Sequence, residues 1–84
     1  MNDLRLFYSP TCPYCLKVLN FLRMNDITIE LCSTLDSYNQ EYLVSNGGIN
    51  QVPCLFIGDK AMYESDDIID YLKHQLAETG GQLS

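Results

Sequence analysis

Positive charge is scarce in this sequence of 84 residues. Five Lys and Arg stand against eleven Asp and Glu, and the formal net charge is -6 at pH 7. A surface of that sign repels the phosphates of DNA and RNA, which a binding protein must neutralise with basic side chains. The composition therefore argues against a nucleic-acid partner.

Long apolar runs are also missing. No stretch approaches the roughly 20 apolar residues that cross a bilayer, so we expect no membrane partner. Residues 1–10 alternate polar and apolar side chains, without the basic start and continuous apolar run of a signal peptide. We therefore expect a cytoplasmic protein.

Low-complexity segments and internal repeats are absent as well. Hydrophobic residues make up 46% of the chain and charged residues 19%, which is the composition of a protein that folds by itself. The length suits one compact domain and is too short for two. We place this domain at residues 1–78 and expect a monomer with a flexible tail at residues 79–84.

Four cysteines are present, Cys12, Cys15, Cys32 and Cys54. A disulfide framework needs an oxidising compartment, which the missing export signal argues against, so metal or redox chemistry is the better interpretation. Cys32 and Cys54 do not form a second Cys-x-x-Cys pair, which makes a four-cysteine zinc site the less favoured alternative. We interpret these two as small buried hydrophobic residues.

Alternating polar and apolar residues predict strands, and apolar residues at helical spacing predict helices. The predicted strands span 4–8, 27–31, 52–57 and 61–63, and the last two form an antiparallel hairpin. A first helix begins at the cysteine pair. A second begins at Ser37, with Ser37 and Gln40 as a capping box, and ends at Asn46-Gly47-Gly48. A third begins at Ser65 as N-cap and reaches Leu76.

The order of these elements is βαβ-α-ββ-α. The first three elements form a βαβ unit, whose crossover is nearly always right-handed. The whole order is that of a minimal thioredoxin-like α/β fold, with a mixed four-stranded sheet and helices on both faces. The sequence therefore predicts this fold class.

Cys12-Pro13-Tyr14-Cys15 places two thiols two residues apart at the predicted junction of the first strand and first helix. Free backbone N–H groups and the dipole at a helix N-terminus lower the pKa of a thiol below its usual value of about 8.5. Cys12 is therefore predicted to be the nucleophilic thiolate. Cys15 lies one turn further, where it is better placed to resolve a mixed disulfide.

Three motifs in this order resemble the glutaredoxin family over about residues 4–76. Cys12-Pro13-Tyr14-Cys15 is typical of dithiol glutaredoxins, and Val52-Pro53 is similar to the family's Val-Pro step, in which the proline is cis. Glu64-Ser65-Asp66-Asp67 opens the last helix where glutaredoxins carry a short Asp-Asp motif. The resemblance implies a glutathione-dependent oxidoreductase that reduces protein disulfides and mixed disulfides of proteins with glutathione.

The resemblance also implies a glutathione site. Tyr14 would flank the bound sulfur, the backbone of Val52 in the Val52-Pro53 step would pair with the cysteinyl part, and Ser65 with Asp66 would hold the γ-glutamyl end. A plain capping role for Ser65 and Asp66 is the alternative. Glutathione would then be the reducing co-substrate, no cofactor would be bound, and the protein partners would carry disulfides or attached glutathione.

Two positions depart from the family. Ser9 stands where many glutaredoxins have a lysine, and Lys17 is the nearest replacement, although a solvated helix-face lysine is the simpler interpretation. Glu64-Ser65 resembles the N-terminal domain of glutathione transferases more than the Gly-Gly of many small glutaredoxins. His74 has no partner at metal or catalytic spacing and is predicted to lie at the surface.

Two further functions stay open at this point. One is a dithiol reductase supplied with electrons by a flavoprotein, without a glutathione site. The other is an iron-sulfur carrier in which Cys12 of two chains shares a cluster with two glutathiones. Pro13 argues against the carrier, because cluster binding in the family is linked to a more open motif.

Overall fold

Short strands alternate with helices along the chain in the predicted order. The structure is a computed structural model that describes residues 4–78, so the tail predicted at residues 79–84 lies outside the described part. The helices and strands are β1 (Leu4–Tyr8), α1 (Pro13–Met24), β2 (Glu30–Ser33), α2 (Ser37–Tyr42) with a π-helical segment (Leu43–Gly47), β3 (Cys54–Ile57), β4 (Lys60–Met62) and α3 (Ser65–Glu78). Within residues 4–78, no helix has the length and apolar character to cross a membrane.

The four strands form one sheet in the order β2-β1-β3-β4. β1 runs parallel to β2 and antiparallel to β3, and β3 runs antiparallel to β4. A parallel pair needs a long crossover, which α1 supplies, whereas a short turn joins β3 to β4. The mixed sheet and the hairpin are confirmed.

Each face of the sheet carries its own apolar core, because successive residues of a strand point to opposite faces. On one face, strand residues pack with α1 and α3; this first core contains Leu4, Leu6, Val18, Leu22, Ile27, Leu55, Ile68 and Leu72. On the other face, strand residues pack with Leu43; this second core contains Phe7, Cys32, Leu43, Cys54 and Phe56. Helices therefore cover both faces, as predicted for a thioredoxin-like fold.

The position of the second strand was predicted wrongly, since β2 begins at Glu30 and not at Ile27. The N–H of Ile27 donates to the carbonyl of Leu22 at 2.9 Å, so this residue still belongs to the turn that ends α1. Its side chain is buried in the first core, but its backbone does not pair with β1. Leu31, the last apolar residue of the predicted strand, lies in β2 and is 49% exposed.

The cap of α2 also differs from the prediction. Asp36, not Ser37, precedes the helix, and its carboxylate accepts the N–H of Tyr38 at 2.9 Å. The helix continues through the π-helical segment and ends at Gly48, which has a left-handed φ of 85°. The predicted end of the helix is therefore confirmed, and its predicted capping box is not.

Gly47 is the last residue of this π-helical segment, and its backbone lies close to the side chain of Tyr63. A Cβ atom at Gly47 would lie 2.1 Å from the Tyr63 hydroxyl oxygen and 3.5 Å from the Phe56 ring. The Tyr63 hydroxyl is itself held by the backbone N–H and carbonyl of Ile49, at 3.3 and 3.2 Å. Only glycine leaves room for this arrangement.

Candidate active site

Cys12 lies between the end of β1 and the first residue of α1. Its backbone is extended, with φ of -92° and ψ of 120°, and it occupies the N-cap position ahead of Pro13. Proline suits the first helical turn because its missing N–H would have no partner there. The Cys12 carbonyl accepts the N–H of Leu16 at 3.1 Å, and its own N–H donates to the carbonyl of Ser9 at 3.2 Å. These bonds fix the thiol at the helix terminus.

The two thiols of the motif have different surroundings. Cys12 is partly exposed, whereas Cys15 is fully buried and its sulfur accepts the N–H of Ser9 at 3.4 Å. Burial raises the pKa of Cys12, but hydrogen bonds from the Cys15 backbone, the Cys15 thiol and the Tyr14 backbone outweigh it and bring this pKa below its ordinary value. Burial is the main cause that raises the pKa of Cys15 to about 12. The order of the two pKa values matches the sequence argument, and the catalytic roles stay predictions.

The Val52-Pro53 step lies beside this pair. The peptide bond between the two residues is cis, as predicted. The Sγ atom of Cys12 lies 3.9 Å from the carbonyl oxygen of Val52. Pro53 is buried, and Cys54 after it begins β3 in the second core. The loop is thus fixed by the sheet and faces the thiol.

A cleft of about 360 Å³ lies next to this loop. It brings together all five residues that the sequence assigned to glutathione, Tyr14, Val52, Pro53, Ser65 and Asp66. Its lining also includes residues that the sequence argument did not assign, Lys17, Gln51, Tyr63 and Glu64. Glu64 belongs to the Glu64-Ser65 pair that resembles glutathione transferases, and Gln51 directly precedes the Val52-Pro53 step, so each had a signal in the sequence.

The start of α3 forms one wall of the cleft. Ser65 is the first residue of the helix and not its N-cap, because the carbonyl of Glu64 accepts the N–H of Ile68 at 2.9 Å and Glu64 takes the capping position. Asp66 and Asp67 occupy the first turn, where the helix dipole favours negative charge. The Ser65 prediction was therefore wrong by one position, and the residue still lines the cleft.

Lys17 and Asp66 form an ion pair that joins α1 to α3 at the cleft. The two side chains are 52% and 78% exposed. The interpretation of Lys17 as a solvated helix-face lysine was incomplete, because the ammonium has an acidic partner 49 residues away in sequence.

Ser9, in the position of the missing lysine, has a local structural role. Its hydroxyl is within hydrogen-bond distance of the Thr11 hydroxyl at 3.1 Å and accepts the Thr11 N–H at 3.4 Å. With its own N–H bonded to the sulfur of Cys15, Ser9 holds the loop that leads into α1. It adds no charge to the site.

The other two cysteines lie in the second core, on either side of Phe7, which pairs with Cys32 in β2 and with Cys54 in β3. Burial raises the pKa of both thiols, that of Cys54 to about 11. Within residues 4–78, no three His, Cys, Asp or Glu side chains come together as metal ligands would. His74 is exposed, as predicted, with Nδ1 2.8 Å from the carbonyl oxygen of Asp70.

The family described as glutathione S-transferase, N-terminal domain matches residues 6–80. The chain belongs to this family. The match covers most of the described residues, including the cysteine pair, the Val52-Pro53 step and the start of α3. No curated protein gives a significant match to the sequence.

Solved structures show the same architecture. Glutaredoxin 2 from Chlamydomonas reinhardtii is 24% identical with a TM-score of 0.67, over 96% of this chain and 85% of that chain. A glutaredoxin from Archaeoglobus fulgidus is 21% identical with a TM-score of 0.67, over 87% and 88%. A Tau class glutathione S-transferase from mango, Mangifera indica, is 27% identical with a TM-score of 0.69, over 90% of this chain and 35% of that chain. The thioredoxin-like fold and the relationship to glutaredoxins and glutathione transferase N-terminal domains are confirmed.

Proposed function

We propose that the chain is a glutathione-dependent thiol-disulfide oxidoreductase with Cys12 as its nucleophile. The observation that carries the proposal is the position of the Cys12 sulfur, which lies at a helix N-terminus and 3.9 Å from the carbonyl of Val52. Val52 also lines the cleft, so a thiol with a lowered pKa adjoins a ligand-sized space. The similarity to glutaredoxins and the family membership support the same reading.

Glutathione fits the chemistry of the cleft lining. The backbone of Val52 offers hydrogen bonds to the cysteinyl part of the tripeptide and keeps the glutathione sulfur beside Cys12. Ser65 and the first turn of α3 offer a hydroxyl and free N–H groups to the γ-glutamyl carboxylate, and Asp66 offers a charge to the γ-glutamyl ammonium. Tyr14, which is 65% exposed and lines the cleft, would flank the bound sulfur.

Removal of glutathione from a protein needs only Cys12. Its thiolate attacks the glutathione sulfur of the mixed disulfide, the protein–glutathione S–S bond breaks, and the protein leaves as a thiolate that takes a proton. The thiolate of a second glutathione then attacks the glutathione sulfur bound to Cys12. This releases oxidised glutathione and regenerates the Cys12 thiolate.

Reduction of a protein disulfide adds a role for Cys15. Cys12 attacks one sulfur of the substrate, and Cys15 then attacks the Cys12 sulfur, which releases the reduced protein and leaves a Cys12–Cys15 disulfide. Burial and the neighbouring Cys12 thiolate both raise the pKa of Cys15. Only the second effect disappears once Cys12 is bound in a mixed disulfide. Two glutathione molecules then reduce the internal disulfide.

Turnover of a small mixed disulfide between glutathione and 2-mercaptoethanol tests the proposal, with glutathione as the only reductant. We expect a rate well above that of glutathione alone. A rate equal to that of free glutathione would favour the flavoprotein-fed dithiol reductase. The proposed enzyme binds no cofactor and acts as a monomer, so a brown protein as purified would instead favour the iron-sulfur carrier.

A further inference from the structure

The loop that carries Val52 has few backbone contacts of its own. It runs from Gly48, which ends the π-helical segment, to Pro53, which is buried. In the described part of the chain, the backbone of residues 49–52 makes no hydrogen bond with another backbone group. Side chains from outside the loop must therefore hold it beside Cys12.

One hydroxyl group binds the backbone of this loop. The hydroxyl oxygen of Tyr63 accepts the N–H of Ile49 at 3.3 Å, and the hydroxyl donates to the carbonyl of the same residue at 3.2 Å. A phenolic hydroxyl has a single proton to donate, so its donor role and one acceptor role both serve Ile49. A further contact of the loop, between Gln40 and Asn50, joins two side chains. Apart from the contact with the nucleophile, Tyr63 is thus the only side chain of the described residues that bonds to the loop backbone.

The side chain of Tyr63 is itself held in place. Tyr63 directly follows β4 and packs against the second core. Its hydroxyl lies close to the backbone of Gly47, where a side chain would clash with it. The same tyrosine lines the cleft together with Val52. One residue therefore connects the sheet, the loop and the cleft.

We propose that Tyr63 is a positioning residue, which keeps the backbone of Val52 in place beside Cys12 before the substrate binds. Its hydroxyl fixes Ile49, three residues before Val52, and so limits the movement of the loop in the free enzyme. The substrate then meets an ordered loop, and its binding energy is not used to order it. This inference rests on the proposed function and adds to it a residue that acts through the loop and not on the reacting sulfurs.

The test uses Tyr63→Phe, which keeps the ring and removes the hydroxyl. The matched control is Tyr42→Phe. Tyr42 also packs against the second core and its hydroxyl also has a partner, Arg5, but it lies outside the cleft lining. Both variants lose a hydrogen-bonded hydroxyl, and only Tyr63→Phe loses a contact with the loop. Thermal unfolding confirms that both variants fold.

We expect Tyr63→Phe to raise the KM for the mixed disulfide of glutathione and 2-mercaptoethanol about tenfold, which is the order of cost of fixing one backbone residue on binding. The kcat should not change, because the loop is ordered again in the complex. Tyr42→Phe should keep the wild-type KM. Alkylation of Cys12 by iodoacetamide should keep its rate and its midpoint in both variants, since the hydrogen bonds that lower the pKa of Cys12 come from Cys15 and Tyr14.

Hydrogen exchange measures the loop directly. The amide of Ile49, followed by NMR, should exchange about tenfold faster in Tyr63→Phe, because its N–H loses the oxygen that accepts it. In Tyr42→Phe the exchange of this amide should equal that of the wild type.

Three results would overturn the inference while the proposed function stands. Unchanged exchange at Ile49 in Tyr63→Phe would show that the hydroxyl does not hold the loop. Faster exchange with an unchanged KM would show that the order of the loop does not matter for binding. An equal rise of the KM in Tyr42→Phe would assign the effect to the second core. A wild-type protein that does not turn over the substrate would instead refute the proposed function, and the inference with it.

Discussion

The Sγ atom of Cys12 and the carbonyl oxygen of Val52 lie 3.9 Å apart, although 40 residues separate them in sequence. One belongs to the start of α1 and the other to the loop that leads into β3. A peptide held by the backbone of Val52 would therefore present its own sulfur to Cys12. Binding and nucleophilic attack depend on the same short distance in the proposed enzyme.

Replacement of the nucleophile should abolish activity. Cys12→Ser should lower the turnover of the glutathione mixed disulfide to the rate of free glutathione, because a serine hydroxyl does not ionise at neutral pH. The measurement is the initial rate with glutathione as reductant. Cys32→Ala, in the second core, is the matched control and should keep the wild-type rate. Retained activity in Cys12→Ser would mean that another group is the nucleophile.

The reactivity of Cys12 should follow its lowered pKa. Alkylation by iodoacetamide requires the thiolate, so its rate should rise with pH with a midpoint below the usual thiol pKa of about 8.5. Cys15→Ala removes the thiol that donates to the Cys12 sulfur, and the midpoint should then move to higher pH. A midpoint that does not respond to this change would show that the backbone N–H groups act alone.

The two cysteines of the motif should separate the two reactions. Cys15→Ser should still remove glutathione from a mixed disulfide, since that route uses Cys12 and a second glutathione. It should lose most reduction of a protein disulfide, which needs an internal resolving thiol. Parallel assays with a glutathionylated peptide and with insulin measure both activities. Equal loss of both would favour the flavoprotein-fed reductase.

Alkaline pH should destabilise the fold through its buried thiols. The pKa of Cys54 is raised to about 11 in the folded chain, so the native state holds a proton that the unfolded state loses from about pH 9 upward. The free energy of unfolding should therefore fall between about pH 9 and 11. Urea unfolding at pH 7 and pH 10 measures this fall. Cys54→Ala should make this decrease in the free energy of unfolding smaller. An equal decrease in Cys54→Ala and wild type would show that other groups cause the effect.

Gly47 should be intolerant of a side chain. Gly47→Ala would place a methyl group 2.1 Å from the Tyr63 hydroxyl oxygen, so one of the two segments must move. We expect a loss of about 1 to 3 kcal/mol in the free energy of unfolding, the usual cost of overpacking. Tyr63→Phe removes the clashing oxygen, and in that background Gly47→Ala should cost less. An equal cost in both backgrounds would show that the contact is not the cause.

Local motifs predicted which residues come together in the candidate site, because each motif carries its own backbone geometry. Cys12, Cys15 and the Val52-Pro53 step were placed from residues within a few positions of each other. The Lys17–Asp66 pair was not, since it forms between two helices that only the sheet brings together. No periodicity in the sequence connects residues 17 and 66.

The bounds of the second strand were predicted wrongly for a related reason. The apolar alternation of Ile27, Ile29 and Leu31 does not reveal which backbone groups pair, and only Ile27 and Ile29 pack on the first core. The ladder with β1 runs from Glu30 to Ser33, because residues 25–29 are needed to turn the chain back along the sheet. Likewise, Asp36 and Ser37 are both good caps, and local spacing alone did not decide between them.

The position of Phe7 between Cys32 and Cys54 limits the number of disulfides that the folded domain can form. Strands lie about 4.8 Å apart, so two residues that flank a third across a sheet are about 9.6 Å apart at their Cα atoms. Disulfides need less than about 7 Å, and these two thiols cannot bridge while the sheet is intact. The folded chain therefore cannot form a disulfide between Cys32 and Cys54. A redox titration should consume two electrons per chain, all of them from Cys12 and Cys15.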